Sequence, residues 1–131
     1  MVLLLGAMTL VSCEKYEDGR PAKSVLNKFE SMYSGAKDVE WERDGFDWKV
    51  SFETGSGSAR IDHEAWYDND GRWLKTETDL RLSVVPKEIV DFLKASEEYG
   101  SAIIDSNDVE YVETPDGDYY KFELRIGGVE I

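Results

Sequence analysis

The chain has 131 residues, with 28 Asp and Glu against 15 Lys and Arg, for a formal net charge of −13. Forty-one per cent hydrophobic and 12% aromatic residues suffice for a packed core, so global disorder is excluded. The acid excess argues against nucleic acid and anionic lipid surfaces as partners, because no basic stretch could displace their counterions. No segment reaches the roughly 18–20 apolar residues that span a bilayer.

In chain order, residues 1–12 carry no charged side chain. They end in Leu10-Val11-Ser12-Cys13, after which polarity changes abruptly. An apolar run of this length suits the hydrophobic region of a signal peptide, although no Lys or Arg opens it. The Leu-Val-Ser-Cys step resembles a bacterial lipobox, which implies cleavage after Ser12 and a lipid on Cys13. As the sole cysteine, Cys13 has no internal disulfide partner, and lipidation accounts for an odd cysteine in an exported chain. The alternative is a buried apolar segment with an incidental thiol. The whole −13 follows this leader, and residues 13–20 read as a polar tether.

Pro21 opens a helical pattern in which Ala22, Val25, Leu26, Phe29, Met32 and Tyr33 share one face, with Gly35 as the stop. Period-two strands follow. Val39 and Trp41 lead to an Asp44-Gly45 turn, and Phe46, Trp48, Val50 and Phe52 alternate with polar residues. Residues 59–67 and 72–80 flank Asp68-Asn69-Asp70-Gly71 as a second hairpin. Pro86 then begins a second helix, with Ile89, Val90, Leu93 and Phe92 on its expected inner side and Gly100 beyond it. Residues 109–114, an Asp116-Gly117 turn and residues 119–126 form a third hairpin, where Tyr120, Phe122, Leu124 and Ile126 repeat the pattern of Phe46 to Phe52.

The expected fold is therefore α+β: a helix packed on an antiparallel four-stranded sheet, followed by a second, incomplete helix–strand repeat. The first unit spans 21–85 and the second 86–131. This order, with Val39-Glu40-Trp41, Trp48-Lys49-Val50-Ser51-Phe52 and Tyr67-Asp68-Asn69-Asp70-Gly71-Arg72-Trp73-Leu74, resembles the PepSY-like, β-lactamase-inhibitor-like bacterial lipoproteins. So does Thr76-Glu77-Thr78 leading to Val85-Pro86. The resemblance implies a fold and an extracytoplasmic setting, at the periplasmic face or the cell surface. It brings no catalytic or cofactor residues.

The residues themselves point away from enzyme chemistry. His63 is the sole histidine and lies in a strand pattern among apolar neighbours, which suits a structural role. Asp68-Asn69-Asp70-Gly71 faintly suggests a calcium loop, but Trp73 and Leu74 interrupt the ligand series, so turn chemistry explains it better. The pairs Glu40/Glu42, Asp62/Glu64 and Glu77/Asp79 share outward strand faces and read as solvated surface. Trp66 and Trp73 fall in the opposite phase from the core, among charged residues including Glu64 and Lys75. They are expected opposite one another on the helix-free face, as anchors for an extracytoplasmic protein, as a pair that stiffens the hairpin, or as a pair covered by the second unit. Small-molecule or cation capture by the acidic face, and a folded spacer, remain as alternatives.

Overall fold

The computed structural model describes residues 14–127 and 129–131, so the leader and Cys13 lie outside the described residues. Two compact units divide the chain after Thr76. Among the described residues, eight strands and two α-helices make an α+β fold, with more strands than the sequence pattern announces.

In the first unit the strands lie in chain order: β1 (Lys15–Tyr16), β2 (Lys37–Asp44), β3 (Asp47–Thr54), β4 (Ile61–Tyr67) and β5 (Trp73–Leu80), which runs on into the second unit. Pairing from β2 to β4 is antiparallel, as alternation predicts. β1 pairs parallel to β2, with Lys15 opposite Glu40 and Tyr16 opposite Trp41, so the sheet is mixed. The segment expected to be a plain tether thus contributes a strand, and Tyr16 packs on the core. Two residues are too few for periodicity to register.

The helix α1 (Lys23–Met32) starts just after Pro21, and the Ala22 carbonyl accepts from Val25 and Leu26. Its buried residues, Val25 and Phe29, are those of the apolar helical face. Register explains the core they meet. Trp41 pairs with Val50, Trp48 with Tyr67, and Val50 with Ala65, so alternate residues of three strands form one apolar surface. Phe29 meets Trp41 and Phe52 edge-on, with centroids 5.3 and 5.1 Å apart.

Phe46 departs from expectation. It lies between β2 and β3, not within a strand, and is 91% exposed. Alternation counted it with Trp48 because a turn residue two places ahead of a core position has the same phase.

The second unit holds α2 (Lys87–Lys94), β6 (Ile103–Thr114), β7 (Gly117–Ile126) and β8 (Val129–Glu130). β6 and β7 are an antiparallel hairpin with a register shift between Ile104 and Val109. The shift explains why period two showed only the later half of β6. β8 pairs with Arg125 and Ile126. Val85, Val109, Val112 and Leu124 are buried. Tyr120, expected in the core, is half-buried in a row of rings with Tyr111 and Phe122. The expected burial of α2 is overturned: none of its residues is buried, and Phe92 is 82% exposed. Among the described residues no helix is long and apolar enough to cross a membrane.

Candidate functional site

On β4 the side chains of Ala65 and Tyr67 enter the core, which sends Trp66 to the opposite face. Lys49 lies opposite Trp66 on β3, and Glu64 opposite Ser51. There Lys49 bonds Glu42 at 2.7 Å and Glu64 at 3.2 Å. These contacts raise its ammonium above the ordinary lysine value, the Glu42 hydrogen bond first and burial opposing.

Trp66 is half-buried and held from two sides. Its indole N–H donates to Asp44 Oδ2 at 2.7 Å, and Lys75 Nζ lies 4.2 Å from the ring centroid. A cation over an indole face is favourable, and the ring is fixed while remaining half-exposed. Trp66, Glu64 and Lys75 are thus drawn together in one polar surface around an aromatic plane.

Trp73 is not part of it. Its ring packs against the helix-side core, and its Nε1 donates to Thr76 Oγ1 at 2.9 Å. The expected Trp66–Trp73 pair gives way to Trp66–Lys75. The Asp68–Gly71 turn explains the change, because Gly71 approaches the backbone of Ser24 so closely that a Cβ there would lie 2.6 Å from the Ser24 carbonyl oxygen. The turn therefore leans onto α1, and the residue leaving it, Trp73, follows towards the helix.

The other sequence candidates have structural roles. His63 Nε2 and Thr54 Oγ1 are 2.7 Å apart, and the imidazole stacks on Phe52 at 5.0 Å. Burial lowers its pKa below the usual histidine value, with Asp62 opposing. Asp68 Oδ1 accepts the backbone N–H groups of Asp70 and Arg72, both at 2.9 Å, an Asx turn.

Two groupings escaped the sequence reading. Arg43 lies with its guanidinium carbon 3.9 Å above the Trp48 ring and donates to Asn69 Oδ1 at 2.8 Å, joining the two hairpin ends. In the second unit the carboxylates of Asp105, Asp108 and Glu123 converge to within 4.8 Å. Hydrogen bonds to Asp108 and Glu130 push the Glu123 carboxyl up to about 7. Nothing in residue spacing announces that convergence, because the register shift in β6 creates it.

A helix on a mostly antiparallel sheet, with a half-covered tryptophan on the free face, defines a small α+β domain. The family model described as "Putative beta-lactamase-inhibitor-like, PepSY-like" matches residues 47–131, and the chain belongs to that family. Solved structures agree on the fold. A BLIP-like protein from Bacteroides fragilis has a TM-score of 0.71 at 22% identity, over 83% of this chain and 74% of its own. A DUF2874 family protein from Bacteroides ovatus gives 0.72 at 22% identity, over 85% and 75%. A protein from Bacteroides eggerthii, described as a putative periplasmic protein, gives 0.68 at 22% identity, over 82% and 74%. No curated protein matches the chain.

Proposed function

We propose that this protein is a non-catalytic, extracytoplasmic binding module that engages a protein partner through the helix-free face of its first unit, with Trp66 at the centre. The observation that carries this reading is the clamped, half-exposed indole of Trp66, between Lys75 and Asp44. Ordering such a ring in advance lowers the entropy lost on association, and the surrounding charges give orientation. Glu64 and Lys75 form the polar rim, while Trp73 acts in folding. Family membership supports a non-catalytic role, and the Bacteroides eggerthii neighbour's description supports a place outside the cytoplasm. The lipobox-like Leu10-Val11-Ser12-Cys13 supports attachment through a lipid on Cys13.

Affinity capture from native envelope extracts, wild type against Trp66→Ala, tests the binding reading. Loss of a captured protein is expected while the variant still folds cooperatively with only the small loss of a surface contact, about 1 kcal/mol, and equal capture by the variant overturns it. Intact mass of the membrane-extracted protein tests the anchor, with a lipid-modified Cys13 as the new N-terminus expected. A second reading, cation binding, is favoured by the convergence of Asp105, Asp108 and Glu123. It predicts a calcium-dependent rise in melting temperature, and an unchanged melt removes it.

A further inference from the structure

Among the described residues of the first unit, the most exposed large apolar side chain is Phe46, and its surroundings show a ring that is presented, not merely uncovered. Its backbone carbonyl accepts from Asn69 Nδ2 at 2.7 Å and from Arg43 Nη1 at 3.4 Å. Arg43 in turn bonds Asn69 and stacks on Trp48, which is buried in the core. The Arg43 backbone N–H also donates to Asp18 Oδ2 at 2.9 Å. Two hairpin ends are thereby tied to each other, and the turn that carries Phe46 is fixed from both sides. Phe46 as a residue remains 91% exposed. Exposing a phenyl ring to water is unfavourable, and holding its backbone rigid gives the monomer no compensating burial. An ordered backbone with a free ring is the arrangement that loses least entropy when the ring enters a partner.

The rim of this tip is acidic. Asp44 and Asp47 flank Phe46, and Asp68 and Asp70 lie in the turn that Asn69 ties to it. Asp44 accepts from the Trp66 indole and Asp68 from two backbone N–H groups of its own turn, so both carboxylates are fixed in place at the rim. Of the nearby cations, Arg43 is committed to the tie. We propose that Phe46 is the projecting anchor of the interface, and that its occupant is a basic protein segment carrying an apolar side chain, which packs on the phenyl ring while Lys or Arg residues meet Asp44, Asp47 and Asp70. The proposal rests on the reading of the chain as a protein-binding module, and adds a residue and a partner chemistry to it. The same carboxylates repel an anionic membrane surface, which favours protein over lipid.

The test is a titration of the isotope-labelled full chain with a blocked peptide, Lys-Lys-Leu-Lys-Lys-Phe-Lys-Lys, followed by backbone amide shifts. The expected result is perturbation centred on residues 44–48 and 66–70, weakened by salt. Phe46→Ala should reduce affinity at least tenfold with an unchanged melting temperature, because its ring makes little contact in the fold. Asp47→Asn with Asp70→Asn should weaken binding and flatten its salt dependence. Perturbation spread over the whole acidic surface, equal affinity for Phe46→Ala, or equal binding of the peptide with Glu in place of Lys overturns the proposal. So does Phe46-dependent sedimentation with phosphatidylcholine–phosphatidylglycerol vesicles. In envelope capture, loss with Trp66→Ala but not with Phe46→Ala overturns the Phe46 anchor while leaving the Trp66 face intact.

Discussion

The indole N–H of Trp73 donates to the hydroxyl of Thr76, three residues along the same strand, at 2.9 Å. Thr76 is 1% exposed, and its oxygen also lies 2.6 Å from the Tyr33 hydroxyl at the end of α1. One buried hydroxyl therefore joins helix and strand. Thr76→Val keeps the shape but removes the acceptor, leaving a half-buried indole donor without it. The expected loss is about 1–3 kcal/mol in urea denaturation. Thr76→Ser, which keeps the oxygen, should lose clearly less.

The two tryptophans should separate cleanly by substitution. Trp73→Ala removes a ring packed against the core and should destabilise by about 2 kcal/mol or more. Trp66→Ala removes a surface cation–π contact and one hydrogen bond, for a loss of about 1 kcal/mol. Comparable losses for both in equilibrium unfolding would contradict the division into a folding and a binding residue.

Gly71 has φ +87°, and a Cβ there meets the Ser24 backbone. Gly71→Ala combines an unfavourable left-handed conformation with a clash that neither backbone can relieve alone. We expect destabilisation of more than about 1 kcal/mol. Gly45→Ala tests the separate effects, since Gly45 has φ +62° but open space around its Cβ position. It should lose less than Gly71→Ala in thermal melts.

Acidification should act in opposite senses on the two units. Burial lowers the pKa of His63 in the fold, so its contribution is complete above the unfolded histidine value of about 6.5 and falls as pH drops below it. Glu123 is raised to about 7 by its bonds with Asp108 and Glu130, so folding favours its protonated form. Its contribution is present below the ordinary glutamate range and is lost as pH rises to about 7. Amide exchange, corrected for intrinsic rates, should therefore show β3–β4 less protected and β6–β7 more protected at pH 5.5 than at pH 7.5. His63→Gln and Glu123→Gln should each flatten the response in their own unit.

Much of the first unit was legible because its residues obey a period. Val25 and Phe29 recur at helical spacing, and Trp48, Val50 and Phe52 alternate, and all five are buried. The departures arise where a neighbour outside the local pattern decides. Trp73 has the phase of a free-face residue, but the close approach of Gly71 to Ser24 turns it to the core side. Phe46 has a core phase but falls in the turn. Trp66 alternates with the buried Ala65 and Tyr67 as its phase requires, whereas its partners Lys75 and Asp44 come from two other strands and depend on pairing that no window of sequence contains. The apolar pattern of α2 gave its helix but not its environment, since periodicity reports an amphipathic face without saying what covers it.

The parallel pairing of β1 has a mechanical consequence. Between Cys13 and Lys15, the first residue of β1, stands Glu14 alone. Two extended residues reach about 7 Å. A lipid on Cys13 would therefore act as a short mooring at one edge of the sheet, not as a long leash. Such a mooring would restrict how far the domain can swing above the bilayer, and would pass lateral pull on the lipid directly into the pairing of Tyr16 with Trp41.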